Sequence, residues 1–163
     1  MFITVHAAAA AILGRQAANP VIAFILGLIS HFVLDAIPHG DEHLGKKFLG
    51  FGIKEKEDFR IMALYGSIDS FFLAVFLIFL FKNFEFNNNG DNIAWAIVGG
   101  ILPDILVAIY KLKNFKLLRW FSNLHMRNHR LIIKETAADI PLKYGVLMQV
   151  CFLIALIWLI YFI

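Results

Sequence analysis

The sequence predicts an all-α, polytopic helical membrane protein with about four to five membrane segments and one amphipathic helix on the cytoplasmic side. Hydrophobic residues make up 60% of the 163 positions, charged residues only 17%, and the mean hydropathy is +0.74. A typical soluble domain is about 45–50% apolar and about 25% charged. The apolar residues also fall in long runs with no strand-like alternation. We therefore expect residues 1–163 to form a single integral membrane domain.

The apolar runs define the expected helices. They are, in chain order, residues 2–13, 20–37, 59–81, 93–112 and 142–163. The first run has only about 12 residues, and a full crossing needs about 20. Between the fourth and fifth runs, residues 115–133 mix apolar with basic side chains, which predicts an amphipathic interfacial helix. Gly27, Gly99 and Gly100 predict close contacts between helices.

Lysine and arginine residues are concentrated in two of the connections between runs. They are Lys46, Lys47, Lys54, Lys56 and Arg60 after the second run, and Lys111, Lys113, Lys116, Arg119, Arg127, Arg130, Lys134 and Lys143 between the fourth and fifth. Basic connections stay in the cytoplasm. The sequence therefore predicts a protein of the cell (inner) membrane with its N-terminus in the cytoplasm. Membrane lipids are the expected partners, and nucleic acid is not, despite a pI of about 9.1.

Ionisable residues inside apolar segments are costly and are functional candidates by default. Five histidines and aspartates lie in the predicted membrane runs: His6, His31, Asp35, Asp69 and Asp104. Two more, His125 and His129, lie on the predicted amphipathic helix. The predicted orientation places nearly all of them in the cytoplasmic half of the membrane, although they come from five separate segments. Chance would distribute them over both halves, so the clustering predicts a site.

The spacing of these residues indicates what the site binds. His31 and Asp35 are four residues apart, and such pairs share one face of a helix. The second pair with this spacing is His125 and His129. Neutral imidazoles together with carboxylates suit zinc or another divalent metal. Water bound to such an ion becomes a nucleophile near neutral pH.

Further residues are expected to assist this chemistry. Asp69 is the candidate general base, or it orients a histidine ligand. Arg127 and Arg130 are expected to attract an anionic substrate. The structural alternatives are that Asp69 hydrogen-bonds a neighbouring helix, that Asp104 caps a helix restarted at Pro103, and that the two histidines of the amphipathic helix contact anionic lipid headgroups. Three polar residues after the second run are expected in a solvated loop: His39, Asp41 and His43.

Three short motifs resemble those of a known family. They are His6, the run Ser30–His39 (SHFVLDAIPH) and the run Gly100–Asp104 (GILPD). They resemble the small bacterial inner-membrane metal-dependent hydrolases, a group distantly similar to zinc-dependent phospholipase C and the S1/P1 nucleases. The resemblance implies a helical fold that binds metal for phosphoester hydrolysis. The ligands it implies are His6, His31, Asp35 and Asp104, with His125 and His129 as further candidates.

The leading hypothesis is a membrane-embedded, metal-dependent hydrolase of phosphoester, phospholipid-like substrates, with its site near the cytoplasmic leaflet. The alternative is a non-catalytic membrane protein, either a small metal or proton carrier or a scaffold. A carrier needs polar groups at successive depths, and the outer half of the runs lacks them. No Gly-rich phosphate loop, Ser-His-Asp order or paired cysteine motif is present, so we expect neither nucleotide nor thiol chemistry.

Overall fold

A computed structural model describes residues 1–40, 56–83, 90–113, 115–131 and 140–162, and all regular structure in these ranges is helical. The six α-helices are α1 (Ile3–Gln16), α2 (Pro20–Asp35), α3 (Lys56–Asn83), α4 (Gly90–Lys113), α5 (Arg119–His129) and α6 (Leu142–Phe162), and a 3-10 turn, Lys116–Leu118, precedes α5. The predicted helical class is confirmed for these ranges. Asp41 and His43 lie outside the described residues.

Three of the helices are long and apolar enough to cross a membrane. They are Ala63–Lys82 within α3, Gly90–Lys113 (α4) and Leu142–Phe162 (α6). The α2 helix is also apolar but has only 16 residues. The structure thus supports an integral membrane protein with three candidate spans among its described residues, against the four to five expected.

The α1 helix lies inside the bundle. Its alanines Ala7, Ala8, Ala10 and Ala11 are almost completely buried. Because alanine side chains are short, α2, α3, α4 and α6 can all pack against this one helix. At 1.5 Å per residue its 14 residues extend about 21 Å, less than the roughly 30 Å hydrocarbon core. The short first run is therefore a central packing helix.

The α2 and α4 helices touch through their backbones. A Cβ atom at Gly27 would lie 2.0 Å from the carbonyl oxygen of Ala96, and one at Gly99 would lie 2.2 Å from that of Phe24. Only glycine permits such an approach, so the predicted packing role of these glycines is confirmed. The contact fixes the distance between the polar residues near the end of α2 and those on α4.

The α5 helix is the predicted amphipathic helix. Leu117 in the preceding 3-10 turn and Trp120 in the first turn of α5 are 88% and 71% exposed, while Ser122 and His125 face the bundle and are buried. The amide nitrogen of Asn128 donates to the backbone carbonyl of Phe32 at 2.7 Å. This hydrogen bond holds the end of α5 against the end of α2.

Candidate metal centre

The site begins with a histidine and an aspartate on one face of α2. His31 Nε2 lies 3.0 Å from Asp35 Oδ2, and both side chains are 0% exposed. His31 Nδ1 is 2.8 Å from the carbonyl oxygen of Gly100, which can only accept a hydrogen bond. Nδ1 therefore carries a proton, so the neutral form of the ring has its lone pair on Nε2, directed toward Asp35. This is the tautomer that a metal ligand requires.

A second carboxylate comes from α4. Asp104 Oδ1 lies 3.5 Å from His125 Nε2 and 3.9 Å from His31 Nε2. Its side chain is 23% exposed, so it forms the more open side of the cluster. The residue follows Pro103, as the sequence suggested, but its oxygens face the histidines of other helices. The alternative that it only caps a restarted helix does not describe these contacts.

Two histidines come from α5. His125 Nε2 is 3.5 Å from Asp35 Oδ2, and His129 Nε2 is 3.0 Å from the same oxygen. The two Nε2 atoms are 3.0 Å apart. Burial lowers the pKa of His125 to about 3, so its ring is neutral at neutral pH. Both rings face the cluster, as the predicted pairing required.

His6 from α1 lies behind Asp35. Its Nε2 atom is 3.1 Å from Asp35 Oδ1 and 4.0 Å from Asp104 Oδ2. Its ring packs on that of His31, with the centroids 4.1 Å apart. His6 is thus close to every carboxylate of the site, but its position best suits orienting Asp35.

Several buried polar atoms of this cluster lack a hydrogen bond among the described residues. They are His6 Nδ1, His31 Nε2, Asp35 Oδ2 and His125 Nδ1. A buried polar atom without a partner is costly and requires an explanation, such as an ion. Two of the four, His31 Nε2 and Asp35 Oδ2, face each other at the centre of the cluster. The donor set and these open atoms fit a divalent metal.

The distances permit two overlapping groups of metal ligands. One comprises His31, Asp35, Asp104 and His125; the other comprises Asp35, His39 and His129. Within each group, the ligand atoms lie within 4.8 Å of one another. A tetrahedral ion with bonds of about 2.1 Å separates its ligands by about 3.4 Å, so small side-chain movements would complete either group. Asp35 belongs to both.

His39 is the member of this cluster that sequence reasoning missed. The expectation that it lies in a solvated loop is wrong, because the side chain is only 2% exposed. Its ring centroid is 5.2 Å from that of His129. The one available signal was its position, Pro38-His39, at the end of the SHFVLDAIPH motif. Its burial depends on α6, which lies more than a hundred residues further along the chain.

Asp69, the predicted base, has a different place in the structure. Its carboxylate accepts hydrogen bonds from the backbone nitrogens of Ile3 and Thr4, at 2.6 and 3.2 Å, and from Thr4 Oγ1 at 2.7 Å. It therefore caps the first turn of α1, where backbone N–H groups have no helical partner. It belongs to neither ligand group. These contacts match the alternative that Asp69 hydrogen-bonds a neighbouring helix.

The two predicted substrate-binding arginines are exposed. Arg127 lies on α5, and Arg130 follows its last residue. Arg127 borders an open cavity of about 270 Å³ whose other lining residues are Phe32, Leu124, Asn128 and Leu131. The ring of Phe32 lies between this cavity and His125, with ring centroids 6.2 Å apart. Arg127 is thus near the cluster without touching it.

No family model, curated protein or solved structure matches this chain. The argument about function therefore depends on the geometry of the site and on the residue patterns of the sequence.

Proposed function

We propose that this protein is a membrane-embedded, metal-dependent hydrolase of phosphoester substrates of phospholipid type, with its site near the cytoplasmic headgroup region. The observation that carries the proposal is the convergence of histidines and carboxylates from α2, α4 and α5, some of whose buried atoms have no hydrogen bond to the residues that the structure describes. Two imidazoles and two carboxylates are a donor set that zinc and similar ions accept.

The four residues of the first group would hold the ion: His31, Asp35, Asp104 and His125. A divalent ion in this position supplies Lewis acidity and lowers the pKa of bound water. Gly100 keeps His31 in the metal-binding tautomer, and His6 orients Asp35 through the contact to Oδ1. Asp104 is the partly exposed carboxylate, so it is the group placed to accept a proton on the open side.

Location supports a lipid-like substrate. The exposed apolar residues at the start of α5 suit an interfacial position, because such helices place their apolar face at the headgroup boundary. Arg127 and Arg130 would attract the phosphate of an anionic lipid from that boundary. The cytoplasmic assignment follows from the basic connections.

The test is hydrolysis by the purified protein in lipid nanodiscs, after reloading with zinc or manganese, on a generic phosphodiester and on phospholipids. The matched variant replaces His31 and Asp35 with alanine. We expect phosphoester turnover in the wild type and its loss, by at least about 100-fold, in the variant. Binding of metal without turnover of any phosphoester would contradict the hydrolase and favour the non-catalytic carrier.

A further inference from the structure

A second group of ligand atoms lies directly beside the first. We propose that Asp35, His39 and His129 bind a second divalent cation, with the carboxylate of Asp35 shared between the two ions. This inference rests on the proposed metal centre and adds a ligand, His39, that neither the spacing of the predicted pairs nor the family resemblance assigned.

His39 is held in the orientation that a ligand needs. Its Nδ1 atom lies 2.5 Å from the carbonyl oxygen of Ile37 and must donate to it. The Nε2 atom therefore carries the lone pair. The backbone oxygen of His39 accepts a hydrogen bond from Gln149 Nε2 at 3.3 Å. A Cβ atom at Gly145 would lie only 2.1 Å from that same oxygen, so α6 packs directly against this residue.

The two carboxylate oxygens of Asp35 face histidines of both groups and the Met1 amine. Within the described part of the chain, Oδ2 has no hydrogen bond, and it lies 3.0 Å from both His31 Nε2 and His129 Nε2. Oδ1 lies 3.1 Å from His6 Nε2. Since an ionised carboxylate only accepts and offers about four lone-pair positions, it can serve two cations at once. A fully buried carboxylate surrounded by imidazoles is well placed for this.

A positive charge already lies at one edge of the second group. The Met1 amine is 3.0 Å from Asp35 Oδ1 and 2.7 Å from His39 Nε2. Both of these atoms accept from the amine, so their electrostatic potential favours a cation at this point. The amine is also the competing occupant, and the experiment must distinguish it from a metal ion.

The two positions should differ in affinity. The first group has two carboxylates and two imidazoles, while the second has two imidazoles and shares the carboxylate of Asp35. Fewer anionic ligands give weaker binding of a divalent ion. We therefore expect two binding steps, with the second ion bound more weakly than the first.

The experiment uses the full chain in detergent, stripped with a chelator and reloaded with Mn²⁺. Elemental analysis after equilibrium dialysis is expected to give two ions per chain at saturation. The electron paramagnetic resonance spectrum is expected to show two coupled Mn²⁺ ions, because a shared carboxylate holds them a few ångströms apart. Both measurements use the wild type, so they do not depend on the folding of a variant.

The variant His39→Ala tests the assignment of the ligand. It is expected to bind one ion per chain, with an uncoupled spectrum and an unchanged first binding step. The control is Asn92→Ala, which removes a buried hydrogen bond to Ala17 far from the cluster and is expected to keep both ions.

Three outcomes would overturn the inference in distinguishable ways. A single uncoupled ion in the wild type at saturating Mn²⁺ would leave the amine as the occupant of the second position, with the first site intact. Two coupled ions in His39→Ala would show that His39 is not a ligand. No bound ion in any protein would overturn the proposed metal centre as well.

Discussion

The two ends of the helical bundle differ in how many of their buried polar atoms have hydrogen-bond partners. At one end, Asn92 Nδ2 donates to the carbonyl of Ala17 at 2.8 Å, and Arg15 donates to the carbonyl of Ile160 at 3.0 Å. Asn19 caps α2 by accepting from Ile22 N at 2.9 Å. At the other end, histidines and aspartates of α1, α2, α4 and α5 lie close together, and four of their buried atoms have no hydrogen bond to any described residue.

The difference separates buried polar residues that have a hydrogen-bond partner from buried polar residues with an atom that lacks one among the described residues. A polar group that only supports packing is selected together with its partner, since an unsatisfied group costs about 1–3 kcal/mol. The first end follows this rule, and the second does not. Two of the open atoms at the second end, His31 Nε2 and Asp35 Oδ2, face each other at 3.0 Å and are the kinds of atom that bind a divalent cation.

The largest effect is expected from Asp35→Asn, which keeps the size of the side chain and removes its charge. Asp35 belongs to both ligand groups, so the variant should lose metal affinity by more than the roughly 10–100-fold typical of outer-shell partners. Asn92→Ala at the opposite end is the control. It should lower stability by about 1–3 kcal/mol and keep its metal. Isothermal titration with zinc measures the metal affinity of both variants, and thermal unfolding measures their stability. Equal loss of metal affinity in both variants would contradict the difference between the two ends.

A large effect on stability is expected from Gly27→Ala. Gly27 lies at the close contact between α2 and α4, the two helices that run between the ends of the bundle. The new Cβ atom would lie 2.0 Å from the Ala96 carbonyl, so the helices must separate, at a cost of about 1–3 kcal/mol or more. Gly66→Ala is the matched control, because no atom of the described ranges lies within 4 Å of its Cβ position. Thermal unfolding in detergent should show a decrease for Gly27→Ala only. Equal stability of the two variants would contradict the close backbone contact.

A smaller effect is expected from Asn128→Ala, which removes the hydrogen bond from α5 to the Phe32 carbonyl. Asn128 touches no carboxylate of the site, but it fixes the helix that carries His125 and His129. We expect metal affinity to fall by about 10–100-fold, as for other outer-shell partners. Asn123→Ala, an exposed residue on the same helix, should have no effect. Metal titration of both variants checks this, and unchanged affinity in Asn128→Ala would refute the positioning role.

The smallest effect is expected from Asp69→Asn. Asparagine caps a helix about as well as aspartate does, so the first turn of α1 should keep most of its stability. If Asp69 were instead the general base, the rate of hydrolysis would fall by about 10²–10⁴-fold. Comparing phosphoester turnover by Asp69→Asn and the wild type therefore decides between the two roles. Turnover within a few-fold of the wild type is the expected result.

The fold and the centre of the site could be predicted from sequence, because each depends on local patterns. The length and hydropathy of the runs predict α3, α4 and α6 to within a few residues, since the bilayer sets the length of a span. The pairs His31/Asp35 and His125/His129 follow from helical spacing. The orientation of the runs predicts their convergence, and in the structure all three histidines have Nε2 within 3.0–3.5 Å of Asp35 Oδ2.

The parts that sequence could not predict depend on contacts between distant residues. His39 follows a proline and a helix end, which usually indicates a loop, but Gln149 and Gly145 of α6 and the ring of His129 pack against it. Asp69 lies within an apolar run, as a catalytic residue of the membrane would, but its carboxylate oxygens accept hydrogen bonds from the N–H groups of Ile3 and Thr4. The residue pattern of one helix does not indicate which part of another helix will pack against it.

The most direct test of the account is elemental analysis of the detergent-purified protein beside a His31→Ala/Asp35→Ala variant. We expect at least one zinc, manganese or iron per chain in the wild type and its loss in the variant, with helical content preserved by circular dichroism. Absence of metal from the wild type, even after reloading, would contradict the metal centre. The protein would then be better explained as a scaffold that binds no ion.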